Sequence, residues 1–106
     1  MTNPKESDWK QYSSIVEELR ERYLKEKNQG FINMLSDPDK NATENFWDTL
    51  EKMKEETKTL ELCLGKHSRS SMFIQMLAMC THGMLTNEDL ANFSEELQDS
   101  LKKCLK

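Results

Sequence analysis

The sequence predicts an all-α chain, a small bundle of four main helices. Three observations lead there. Apolar side chains recur every three or four residues along most of the chain, which is the repeat of a helix face and not the alternation of a strand. Apolar residues that favour sheets are scarce, with valine only at Val16 and isoleucine at Ile15, Ile32 and Ile74. Three glycines and two prolines punctuate 106 residues, so turns are few and elements long. A chain of this length fits a single helical domain spanning 1–106, with residues 1–7 expected as a polar, disordered lead.

The first helix is expected over 8–29. Asp8 and Gln11 have the spacing of a capping box, and Trp9, Tyr12, Ile15, Val16, Leu19, Tyr23 and Leu24 trace one face. Glu18 with Arg22 and Glu21 with Lys25 add ion pairs in the favourable order. Gly30 is expected to end or bend this helix, leaving 31–35 as a last kinked turn or a short fifth helix. Asp37-Pro38-Asp39 is the clearest break, because proline disfavours helix at the residue before it and lacks a donor.

The second helix is expected over 43–64, opened by Asn41 with Glu44 as a capping box. Its stripe is Phe46, Trp47, Leu50, Met53, Thr57, Leu60 and Leu64, and Gly65 follows as a C′ glycine. The third, 70–82, is closed by Gly83 and has almost no polar face, so it is either the most enclosed helix or one whose open side meets a partner. The fourth, 87–105, has Thr86 as N-cap, a Leu85–Leu90 staple, acids at its start and lysines at its end. The loops at 65–69 and 83–86 are short enough to make their helices antiparallel neighbours. Trp9, Tyr12, Phe46, Trp47, Phe73 and Phe93 are expected in the core.

Composition excludes several functions. A formal net charge of −4, with both signs interspersed on every helix, argues against nucleic acid or an anionic membrane as partner. No apolar run reaches the length of a membrane span. Without a basic-then-apolar leader, and with three cysteines that cannot all pair, the expected setting is cytoplasmic with reduced thiols. There the Asn41-Ala42-Thr43 sequon would go unmodified.

Cys63, His67, Cys80 and His82 are zinc-type ligands, but a helix over 70–82 holds its two ends roughly 18 Å apart, too far for one ion. The segments starting at Ala78 and Asp37 have fragments of a calcium-loop pattern without its full ligand set. Hence no metal and no cofactor is expected. No nucleophile–base pair stands within sequence reach.

Two candidate sites remain. Lys66, His67, Arg69, Ser70 and Ser71 form a basic, hydroxyl-rich loop before a helix N-terminus, where free N–H groups favour an anion. Met72, Met76 and Met79 would give the third helix an adaptable apolar face for a partner, if they are not core. The expected function is a small intracellular protein-interaction module, regulatory, inhibitory or adaptor in role. It would act on a protein partner or by self-association as a homodimer. The alternative is a binder of a small anionic ligand, or an enzyme, with its site in the 66–71 loop.

Overall fold

Capping chemistry and apolar spacing set where each rod starts and stops, and the fold follows from their unequal lengths. The computed structural model describes residues 4–105 and contains five helices, with no strand among those residues. They are α1 (Glu6–Leu35), α2 (Ala42–Leu64), α3 (Met72–Thr81), α4 (Asn87–Leu90) and α5 (Glu95–Leu105). The all-α expectation is met.

α1 is longer than predicted at both ends. It is one helix of 30 residues, about 45 Å at 1.5 Å per residue. It runs through Gly30 without a break, so the 31–35 segment is its last turn and no separate helix exists there. A mid-helix glycine costs only about 1 kcal/mol, and burial of Phe31 against the rest of the chain offsets it. The end comes at Ser36, whose N–H and Oγ both donate to the Ile32 carbonyl (3.1 and 2.8 Å), just before Asp37-Pro38.

Asp8 is not the N-cap of α1, because Lys5 holds that position and Glu6 and Ser7 are already helical. The expected disordered lead is therefore partly helix; its residues 1–3 lie outside the described residues. α2 starts as read from the sequence: the Asn41 side chain accepts from the Glu44 N–H (2.8 Å) and Glu44 accepts from the Asn41 N–H (3.2 Å). Gly65 has an extended backbone, not a left-handed one, and earns its place differently: a Cβ there would sit 2.6 Å from the Glu61 carbonyl oxygen.

α3 ends in a Schellman turn. Gly83 takes φ +74°, Met84 N–H donates to the Met79 carbonyl (2.8 Å) and Gly83 N–H to that of Cys80 (3.3 Å). The predicted fourth helix is two. Thr86 and Asp89 form a capping box that opens α4, which lasts only four residues. The chain then turns through 91–94 because Ser94 starts a new helix: its Oγ accepts from the Leu97 N–H (3.3 Å). Its own N–H is held by Asp8 (2.8 Å), so it does not continue the α4 ladder.

The core gathers Tyr12, Val16, Leu19 and Tyr23 of α1, Cys63 at the end of α2, Met72, Met76 and Met79 of α3, then Met84, Leu85, Leu90, Phe93 and Leu101. Nothing between Leu24 and Thr59 belongs to it. α3 and α5 are each about 15 Å long and cannot cover a 45 Å rod. The molecule is accordingly elongated, 52 × 27 × 23 Å, with a radius of gyration of 16.5 Å where a compact chain of this size has about 13 Å. It has a packed head and a projecting arm, the arm being the second half of α1 and the first half of α2.

Candidate functional site

Two places compete, the 66–71 loop on the head and the open face of the arm. In the loop, Gln75 decides the proton positions. Its amide N–H2 lies between the carbonyls of Gly65 and Lys66 (3.3 and 3.2 Å), so its Oε1 faces inward and accepts from the Tyr12 hydroxyl (2.8 Å). His67 Nδ1 sits 2.9 Å from the Tyr12 oxygen and 3.1 Å from Gln75 Oε1. Both neighbours accept there, so Nδ1 carries the proton. Burial, reinforced by Cys63, raises the Tyr12 phenol above its usual value.

The other loop residues are also tied within the chain. Arg69 forms an ion pair with Glu6 (3.0 Å) and its guanidinium lies 5.2 Å over the Trp9 ring. Ser71 Oγ bonds Ser68 Oγ (2.8 Å), and Ser70 Oγ reaches the same atom (3.2 Å). Lys66 is exposed. Of the five residues singled out from the sequence, His67 and Ser71 thus turn into the fold, Arg69 is matched by a carboxylate, and the five do not converge on one point. A cleft of about 350 Å³ lies beside Arg69, walled by Lys5, Asp8, Met72, Phe73, Ser94 and Leu97. Its Lys5 is likewise paired, with Glu96 (3.1 Å). Among the described residues no three His, Cys, Asp or Glu side chains come together as a metal site.

Met72, Met76 and Met79 are buried to 1% exposure or less. They fill the head core, so the apolar face of α3 is consumed inside the chain and is not available to a partner through these residues. Ile74 on the other side of α3 stays exposed, as do Leu62 and Leu105, but the larger group of open apolar side chains is on the arm. Trp47 and Phe46 are 59% and 55% exposed, against the expectation that both lie in the core. Ile32, Leu35 and Met53 are also exposed. The two aromatic rings pack edge to face, with centroids 5.1 Å apart.

These residues share one side of the arm. The buried seam between α1 and α2 is marked in the arm by Phe31 and Thr49. At 100° per residue, Leu35 and Ile32 lie about 40° and 100° around α1 from Phe31, and Phe46 and Leu50 about 60° and 100° around α2 from Thr49. The offsets have the same sign, and in an antiparallel pair that places both stripes on one side. Ile32 and Trp47 form its outer rims.

The seam itself is polar. Tyr23 donates to Glu56 (2.7 Å), and Lys27 pairs with Glu56 (3.8 Å) while lying 5.1 Å over the Tyr23 ring. Burial and the bond to Glu56 raise the Tyr23 phenol. Nearer the tip, Asn45 Oδ1 and Thr49 Oγ1 are buried without a hydrogen-bond partner. The arm's seam therefore joins buried Phe31 to a largely polar lining with two unsatisfied oxygens.

The head, by contrast, is closed by clamps that the sequence did not reveal. Asp8, only 4% exposed, accepts from both the N–H and the Oγ of Ser94 (2.8 and 2.6 Å) and so caps α5 across 86 residues. Arg22 bonds Asp89 and the Met84 carbonyl (2.9 Å) instead of its expected partner Glu18. Burial works against the Asp89 charge, but Arg22 and the Thr86 groups outweigh it and hold the carboxyl below its usual value. The signal for the Ser94 cap, Ser-Glu-Glu before Leu97, was present in the sequence.

Comparison with known protein families, with curated proteins and with solved structures finds no match to this chain. Fold and surface define a two-part helical chain, a clamped head with a helical-hairpin arm that is apolar on one side. No helix is long and apolar enough to cross a membrane, among the described residues.

Proposed function

We propose that this chain is a protein-interaction module and that the open side of the arm is its docking surface. One observation carries the reading: a tryptophan and a phenylalanine, adjacent and both more than half exposed, lie on a face with Ile32, Leu35 and Leu50. Trp47, Phe46, Ile32, Leu35 and Met53 leave on the order of 500 Å² of apolar surface in water, in the upper part of the range of the largest patch on a monomer, which is often a binding site. Aromatic anchors of this kind dominate binding energy when a partner covers them. Such a module regulates, inhibits or adapts by occupying other proteins, and no reacting group is required of it.

A photo-crosslinking residue placed at Trp47, compared with one at Lys103 on α5, tests this in the cell of origin. Defined protein adducts at position 47 and none at position 103 are expected. Adducts at both or only at 103 would count against the arm.

The second reading is a small anionic ligand held by the 66–71 loop. What favours it is the 350 Å³ cleft beside Arg69 and Lys5. A ligand there has to compete with Glu6 and Glu96 for those cations. Thermal stabilisation by inorganic phosphate, lost in Arg69→Ala, is the expected signature of that reading; no shift with phosphate or carboxylates removes it.

A further inference from the structure

We infer that the occupant of the arm's open face is a second copy of this chain, packed antiparallel, arm against arm; the inference rests on the docking reading above. Three features of the face point to self-recognition.

The first is area. The apolar side chains supply on the order of 500 Å², and the polar side chains at their margins, Asn28, Lys54 and Thr57, bring the face near the roughly 800 Å² per partner of a stable interface. The second is architecture. Each arm is a two-helix layer with one apolar side, and the simplest structure that hides two such sides is a four-helix bundle made from two arms. A two-fold arrangement closes on itself and leaves no further apolar face of this kind to extend a polymer.

The third is charge, and it sets the direction. The tip carries Asp37, Asp39 and Glu44, and its cation Lys40 is taken by Asp48 (2.7 Å). Between 11 and 16 residues back along either helix, at the edges of the same side, stand Lys25, Lys54 and Lys58, with Arg20 paired to Glu21 (3.5 Å). Parallel arms would stack acidic tip on acidic tip and basic girdle on basic girdle. Antiparallel arms crossing at the level of Phe31 and Trp47 lay each acidic tip on the partner's girdle, roughly 20 Å along the rod. In that register α1 lies on the partner's α1 and α2 on the partner's α2, with Phe46 opposite the partner's Leu50 at the centre.

Sedimentation velocity from about 1 to about 500 µM, read with acrylamide quenching of Trp47 in a Trp9→Phe background, tests the inference. A dimer is expected, with Trp47→Lys raising its dissociation constant at least a hundredfold. Asp39→Lys and Lys58→Glu are expected each to weaken it about fivefold at low salt, because each change occurs twice across the dyad. Mixing the two variants is expected to restore a heterodimer to near wild-type affinity.

A strict monomer throughout the range overturns the second copy. If Trp47 is then freely quenched, the docking surface stands and awaits another protein; if Trp47 is shielded in the monomer, the docking reading fails as well. A dimer indifferent to Trp47→Lys uses another face and overturns the inference. One that depends on Trp47 but ignores both charge reversals overturns the antiparallel register.

Discussion

The two halves of α1 are equally helical and unequally supported. Before Tyr23 the helix is held by the loop after α2, by α3, by α4 and by the start of α5: Glu6 by Arg69, Tyr12 by Gln75, Arg22 by Asp89 and Asp8 by Ser94. Beyond Tyr23 only α2 lies beside it, through a seam where Asn45 Oδ1 and Thr49 Oγ1 lack partners. The lesson is that helix formation and helix burial are separate questions. Local propensity carries α1 through to Leu35, whereas cover depends on how far the short helices of the head reach.

The sharpest way to break that contrast is to delete equal volumes on either side of it. Met79→Ala is expected to cost about 3 kcal/mol, the range of fully buried large-to-small changes, and Met53→Ala less than about 0.5 kcal/mol at low protein concentration. Urea denaturation measures both. Similar costs for the two would mean the arm is as well packed as the head.

Next is the clamp at Asp8. Asp8→Ala leaves the Ser94 N–H and the start of α5 unsatisfied, and is expected to cost about 2 kcal/mol. Asp8→Asn, which keeps an acceptor, is expected to lose about half of that. A loss within about 0.5 kcal/mol for Asp8→Ala would show that the cap is replaced by water.

Alkaline pH gives an effect confined to the head and seam. Burial, with Glu56 behind it, pushes the Cys63 thiol up to about 11, against roughly 8.5 in an unfolded chain. The folded chain holds this proton more tightly. Its contribution is therefore complete below about pH 8.5 and is lost as pH rises toward 11. The raised phenols of Tyr12 and Tyr23 extend the loss upward. The urea midpoint should fall between pH 8 and pH 10.5, and Cys63→Ala should flatten that slope. For the same reason thiol labelling at pH 8 should modify exposed Cys104 first, Cys80 more slowly and Cys63 only on unfolding. Rapid modification of Cys63 would show that the head opens.

The smallest expected effect is a gain. Gly30 is helical and a Cβ there meets nothing within 4 Å, so Gly30→Ala should stabilise the arm by about 0.5–1 kcal/mol. Hydrogen exchange should register it around residues 24–59 and not in α3 or α5. A loss of stability would indicate that glycine is needed there for a close approach.

These outcomes follow the line between what the sequence made legible and what it did not. Legible features were those whose cause lies within one turn of helix. The Asn41–Glu44 box, the Thr86 cap and the turn at Gly83 each bond groups three to five residues apart. Illegible features have causes far along the chain. Asp8 looked like a cap for its own helix because a capping residue and its spacing are local, yet the group it caps is 86 residues later.

Likewise, Phe46 and Trp47 sit on a regular apolar stripe that reads as core, and only the shortness of α3 and α5 leaves that stripe uncovered. The methionines of α3 posed the opposite problem. An all-apolar helix fits both enclosure and docking, and the choice was made by α1, the end of α2 and α5 closing over it. Of the basic loop, the residues were recognisable but not their internal partners Tyr12, Gln75 and Glu6.

Native-state hydrogen exchange, followed residue by residue at low and at high protein concentration, tests the central contrast most directly. Dilute protein should open residues 24–59 at a free energy well below that of the head, and concentrating it should add protection to the arm alone. An arm as protected as α3 when dilute, or a gain on concentration that falls on the head, would contradict the picture of a closed head carrying an open, partner-completed arm.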